Sequence, residues 1–109
     1  MESILTSIKK LLGPSEENDA FDTDIIIHIN TAFMSLRQLG VGPTQGFRIE
    51  DKDDKWSDFI PNMEMMFYEG LKTYVYLKVK LVFDPPLNSS VLASYKEQIL
   101  ELEWRLTNP

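Results

Sequence analysis

Apolar residues recur at three- and four-residue steps in four stretches of the chain, and each stretch predicts a helix. Ile4, Leu5, Ile8, Leu11 and Leu12 make the first stripe, which Gly13-Pro14 stops, placing a helix near 3–12. A polar, acidic link runs from Ser15 to Asp19. Asp22 then offers a carboxylate as a helix cap, and Phe21 and Ile26 stand at the two positions of a hydrophobic staple. Ile25, Ile29, Ala32, Phe33, Leu36 and Leu39 follow as one face, giving a helix near 22–39 that ends at Gly40.

The next segment changes character. Gly40, Gly42, Pro43 and Gly46 interrupt any helix, and Phe47 alternates with Ile49 ahead of the charged run Asp51 to Lys55. This pattern predicts a long loop or short β-hairpin over 40–57, a segment mobile in the free chain that settles against a partner. Ser57 is placed to cap a helical turn through Phe59 and Ile60, which Pro61 breaks. The longest helix is predicted at 62–83, with a main stripe of Met63, Phe67, Gly70, Leu71, Tyr74, Leu77 and Leu81. Tyr76, Val79 and Phe83 form a second apolar row, so this helix should be covered on more than one side. Asp84-Pro85-Pro86 ends it. Asn88 or Ser89 caps a last helix near 89–106, with Leu87 and Leu92 as its staple and Val91, Leu92, Tyr95, Ile99, Leu102 and Leu106 as its stripe. The predicted fold is all-α: a four-helix bundle forming one domain over 1–109, with a long loop or short β-hairpin between helices 2 and 3.

Composition narrows the function. The 109 residues include 43% hydrophobic and 26% charged side chains, a balance that supports a packed core. No apolar run reaches the ~18 residues of a membrane span, and Met1-Glu2-Ser3 does not open as a secretory signal. The absence of cysteine excludes disulfides and thiolate metal sites. Seventeen acidic against eleven basic residues give a net charge of −6, a field that repels nucleic acid. Lys72, Lys78 and Lys80 share a segment, but Lys72 and Lys80 lie about 80° apart on a helix, with Lys78 off both; they read as a scattered solvated face.

Candidate chemistry is sparse. His28 is the only histidine, which leaves neither a nucleophile–base pair nor a histidine-containing metal set; it reads as structural. Asp51, Asp53 and Asp54 resemble the start of a calcium loop, but Lys55 stands where a ligand is needed and Trp56 where the loop requires glycine. Glu97, Glu101 and Glu103 could bind magnesium only opposite a second carboxylate set, and Glu64 and Glu69 fall on different faces of their helix. No catalytic residue, metal or cofactor is therefore assigned. What stands out is apolar surplus. Leu100 and Trp104, an i, i+4 pair off the core stripe, either cover the end of the core or contact a neighbouring subunit, and the same choice applies to Tyr76, Val79 and Phe83.

Several segments taken together resemble a known family. They are the opening Ile4 to Gly13, Ile29 to Phe33, Leu36 to Pro43, Gly46 to Ile49, Trp56 to Phe59, Lys72 to Pro86 and Lys96 to Leu106. In order and spacing they resemble the small head–tail connector (adaptor) proteins, often labelled DNA packaging proteins, of tailed phages and prophages of Gram-positive bacteria. The resemblance implies a structural virion protein rather than an enzyme, made in the bacterial cytoplasm and resident at the head–tail junction. It implies a ring of about a dozen copies on the portal protein, each joined to the next by one heterologous contact. Such a ring extends the DNA channel without sequence-specific binding, touches no membrane, and gives head-completion and tail proteins a docking place. Phe47, Arg48, Trp56, Tyr76, Val79, Leu100 and Trp104 are the residues expected to serve self-assembly or portal docking. The rival readings are an all-α, metal-dependent nucleotide pyrophosphohydrolase-like enzyme and a small helical regulatory module that binds one protein.

Overall fold

The computed structural model describes residues 2–13 and 18–109, so Pro14 and most of the acidic link lie outside the described residues. The described residues form helices α1 (Ile4–Leu12), α2 (Asp22–Gln38), α3 (Trp56–Phe59), α4 (Met65–Phe83) and α5 (Ser89–Thr107), with a 3-10 turn at Asp19–Phe21. The chain is all-α, and the four long stripes lie within these helices apart from Leu39 and Met63, which stand just beyond the ends of α2 and α4.

Local chemistry sets each boundary. Ser3 caps α1 by accepting from the Thr6 amide, and the Gly13 amide closes its end on the Lys9 carbonyl. Asp22 does not cap α2 as the sequence pattern predicts. Asn18 caps a preceding 3-10 turn, Phe21 takes the N-cap place, and Asp22 becomes the first helical residue. Its carboxylate is drawn to Lys9, whose Nζ lies 2.7 Å away with a side chain only 7% exposed. An ammonium this buried needs a counter-charge, so the pair ties α1 to α2.

Two other predicted caps differ. The turn at α3 is held by Asp58, whose Oδ2 accepts from the Lys55 amide at 2.9 Å, and Ser57 lies inside the turn. Asn88 does cap α5, accepting from the Ser90 and Val91 amides. The staple with it does not form, because Leu87 points wholly into solvent. The long helix starts at Met65 rather than 62, after Asn62 turns the chain with φ 55°.

Helix α4 is the centre of the molecule. Tyr68, Leu71, Tyr74, Val75, Leu77 and Val79 are all buried, and at 100° per residue they point to several sides of the helix. Its Tyr68, Lys72 and Phe83 side meets Trp56, Glu2 and Phe21, which belong to the α1, α2 and loop half. The opposite side, Gly70 and Tyr74, meets Leu102, Leu106 and Glu103 of α5. α5 rests chiefly on α4, and only Ile99 and Leu106 of it are buried.

Helix directions follow from these pairs. Phe21, at the start of α2, packs edge-on against Phe83 at the end of α4, 5.7 Å between ring centres. Phe33 reaches Tyr68, near the start of α4, through Trp56. Gly70 faces Leu102 and Leu106, whereas Tyr76 stands beside Tyr95. Both α2 and α5 are therefore antiparallel to α4, and they run in the same direction.

Residues 40–55 contain no strand, so of the two predicted forms the loop is the one present. One antiparallel bridge, Ser3 with Lys55, ties it to the start of the chain, where the Ile4 amide donates to the Asp54 carbonyl at 2.9 Å. The expected mobility of this segment conflicts with its anchors. The Asn30 side chain clamps Ile49 from both directions, donating to its carbonyl at 3.0 Å and accepting from its amide at 2.7 Å. Ile49 is fully buried, and Phe47 joins Phe33 and Phe59 in a three-ring cluster with centres 4.8–5.3 Å apart. Gly42 permits this, since any Cβ there would sit 2.4 Å from the Phe59 ring.

Candidate docking surfaces

The residues expected to dock fall into two groups. Trp56 and Val79 are fully buried, so they hold the subunit together and present nothing to a partner. The Trp56 indole donates to the Ser7 hydroxyl at 3.0 Å. Tyr76 is half-buried beside Tyr95, and burial pushes its phenol pKa up. Phe47 is partly covered by Phe33 and Phe59. Arg48, Leu100 and Trp104 are exposed, the last two at 66% each.

Leu100 and Trp104 lie on the outward side of α5 because the stripe Tyr95, Ile99, Leu102 and Leu106 faces α4. Glu97 and Glu101 share that outward side, giving the i, i+3, i+4, i+7 row Glu97, Leu100, Glu101, Trp104. Near its C-terminal end the row meets a cleft of about 330 Å³, lined by Met66, Phe67 and Gly70 of α4 with Leu102, Trp104 and Leu106 of α5. Met65 and Met66, at 61% and 76% exposure, extend this apolar surface at the start of α4.

A second apolar surface, which sequence reading missed, lies on α2. Ile27 and Met34 are 55% and 61% exposed. They stand seven residues apart, opposite the Ile25, Ile29, Ala32, Phe33, Leu36 face. Thr23, Thr31 and Gln38 complete a row that carries no charge along the helix. Arg37 and Arg48 flank it, around a cleft of about 370 Å³ that also includes Asn30, Met34 and Phe47. The Arg37 Nε donates to the Thr44 carbonyl at 3.1 Å, and Arg48 pairs with Glu50 at 3.1 Å. The available signal was the seven-residue spacing of Ile27 and Met34 on the wrong face for the core.

The charged residues do not gather into a nucleic-acid surface. Lys72 lies 3.8 Å from Glu2 and over the Tyr68 ring, Lys78 lies over Tyr74, and Lys80 pairs with Asp84 at 2.8 Å. Two of the three aspartates of the loop are spent on its own backbone. Asp54 accepts from the Glu50 and Asp51 amides, and Asp51 accepts from that of Asp53. Glu101 pairs with Arg105, and Glu103 accepts from the Tyr74 hydroxyl at 2.8 Å. Among the described residues no group of three or more histidine or carboxylate side chains is placed to hold a metal ion. His28 lines a shallow surface cleft with Phe21, Val82, Phe83 and Asp84.

A model of the phage connector protein family matches residues 4–109. No curated protein and no solved structure matches the chain.

Proposed function

Because the chain belongs to the phage connector protein family, we propose that it acts as a head–tail connector subunit that assembles as a ring on the portal. The ring extends the DNA channel and offers head-completion and tail proteins a place to attach. The observation that most supports this reading is the pair of exposed apolar surfaces on two different helices, Ile27 and Met34 on α2 and Leu100 and Trp104 on α5. A ring joined by one heterologous contact needs two different patches on each subunit.

The net charge of −6 suits the same role. A channel wall of like sign to the phosphate backbone offers few contacts to hold it, so DNA slides past. None of the described helices is long and apolar enough to cross a membrane, in keeping with a site in the virion.

The experiment is an amber mutation in the encoding phage gene. Filled heads without tails should accumulate, and supplying the chain in trans should restore tailed particles. Labelled antibody against the chain should decorate the head–tail junction of normal particles. Tailed, infectious particles formed without the chain would overturn the reading.

A further inference from the structure

We propose that the cleft between the last turn of α2 and residues 45–48 binds an acidic side chain with an apolar neighbour, carried on a segment of a partner virion protein. Only the kind of partner rests on the connector reading; the chemistry rests on the cleft.

The cleft, of about 370 Å³, takes its charge from Arg37 and Arg48, and no carboxylate lines it. That reverses the sign of the chain as a whole, whose net charge is −6. Phe47 and Met34 add apolar surface beside the two cations. The Asn30 carboxamide also lines the cleft, but both its ends are committed to Ile49.

Arg37 is built into its place. Its Nε donates to the Thr44 carbonyl at 3.1 Å, and Gly46 lies against the same side chain. A Cβ on Gly46 would stand 3.3 Å from the Arg37 Cδ, and the φ of 92° there favours glycine. The loop thus holds one edge of an exposed guanidinium, which costs side-chain entropy. Among the described residues no carboxylate lies within ion-pair distance of Arg37. With Nε engaged, its two Nη groups remain as the fork that grips a carboxylate through two parallel bonds. Arg48 does have a partner, Glu50 at 3.1 Å, but both side chains are largely exposed. A surface pair of this kind is weak and yields to a better-placed anion.

A carboxylate and a phosphate both match such a fork, and the lining decides between them. A duplex backbone brings one charge after another without an apolar group, and the field of this chain opposes it. An acidic residue beside a leucine or phenylalanine satisfies the cations and covers Phe47 and Met34 together.

The test follows the Nε–H signals of Arg37 and Arg48 and the Gly46 amide by nuclear magnetic resonance in the full, folded chain. The probe is a short amidated peptide of glutamate and leucine. Saturable shifts are expected at these positions, while Arg105, already paired with Glu101 at 2.8 Å, stays unmoved. Arg37→Gln should weaken binding about tenfold or more at an unchanged thermal midpoint, because the bonds lost are to a charged group. Gly46→Ala keeps both charges but unseats Arg37, so it too should bind the peptide more weakly. No saturable shift at millimolar peptide, or equal shifts from a glutamine–leucine peptide, would overturn the proposal. So would tighter binding of a short DNA duplex at the same signals. Unchanged binding in Gly46→Ala reduces the site to bare charge and overturns it as well. Signals that move with chain concentration alone make the occupant a second copy, and the partner assignment falls. Each of these failures leaves the connector reading standing, since the amber mutation tests that reading separately.

Discussion

The Trp56 indole N–H donates to the Ser7 hydroxyl at 3.0 Å, joining positions 49 apart in sequence inside the core. Ser7 in turn donates to the Ser3 carbonyl at the head of α1, so the hydroxyl is used as both donor and acceptor. Replacing Trp56 with Ala removes a fully buried ring and should cost about 3–5 kcal/mol of stability. Trp56→Phe fills most of the space but leaves the Ser7 oxygen without its donor, for a loss of about 1–3 kcal/mol. Urea midpoints of the purified chain measure both, and an equal, negligible loss in the two variants contradicts the assignment of Trp56 to the core.

Tyr74 predicts an alkaline transition. Burial, followed by the hydrogen bond and charge of Glu103, raises its pKa well above the ordinary 10.0. The folded chain thus holds this proton more tightly than the unfolded chain does. The resulting stability is fully present below pH 10 and is lost as pH rises beyond it. Lys80, raised by its hydrogen bond to Asp84, loses its contribution in the same direction, above its ordinary 10.5. Denaturation midpoints should be flat from pH 7 to 9 and fall above pH 10. In a phenolate absorbance titration, Glu103→Gln should move one tyrosine to lower pH, though not to the ordinary value, because burial is the largest cause.

The clamp between Asn30 and Ile49 predicts how the loop exchanges. The Ile49 amide is buried and bonded to the Asn30 carboxamide, so it should exchange slowly even in the isolated chain, while amides at Lys52 and Asp53 exchange quickly. Asn30→Ala should free the Ile49 amide, raising its exchange rate at least tenfold, at a cost of about 1–3 kcal/mol. Fast exchange at Ile49 in the unaltered chain would restore the picture of a loop that settles only on a partner.

Trp104→Ala separates the two roles left open for this residue. With two thirds of its surface exposed, its loss should leave helicity and thermal midpoint nearly intact. At an interface centre the same change costs roughly 2 kcal/mol per contact, and in a ring every subunit carries that loss. Tailless heads should accumulate in cells making the variant. Unfolding of the isolated variant places Trp104 in the monomer core instead.

Purified chain with magnesium or manganese should release no phosphate from nucleoside triphosphates. Glu101 and Glu103 of α5 are directed to Arg105 and Tyr74. Turnover above a blank that disappears in Glu101→Gln favours the hydrolase reading.

How much of this was legible in the sequence depends on where a residue's partner lies. Stripes such as Ile25 to Leu36 and the breaks at Gly40 and Pro85-Pro86 are local signals, and they located the long helices to within a few residues. Caps were less reliable because their competitors are distant. Asp22 was a sound candidate on local grounds, but a buried Lys9 on another helix took its carboxylate. Nothing local marks Trp56 as a core residue amid Asp53, Asp54, Lys55 and Asp58, and only the meeting of the loop with α1 and α4 buries it. Leu100 and Trp104 were found because they break the core stripe of α5. Ile27 and Met34 break the stripe of α2 in the same way and escaped notice among the isoleucines beside them.

The joining of the first helix to the loop also fixes an order of events during synthesis. Every strong partner of α1 comes from later in the chain: the Asp54 carbonyl for the Ile4 amide, Trp56 for Ser7, Asp22 for Lys9, and the face of α4 beyond them. At ~5–20 residues per second, the ribosome takes several seconds to deliver Tyr68 after Leu12 has emerged. Through that interval Ile4, Leu5 and Ile8 lack the face of α4, with which α1 makes most of its helix contacts. The newborn subunit therefore passes through a sticky stage that ends only when the long helix arrives. Until then its neighbours on a crowded messenger meet the wrong surface, the one that the finished protein hides.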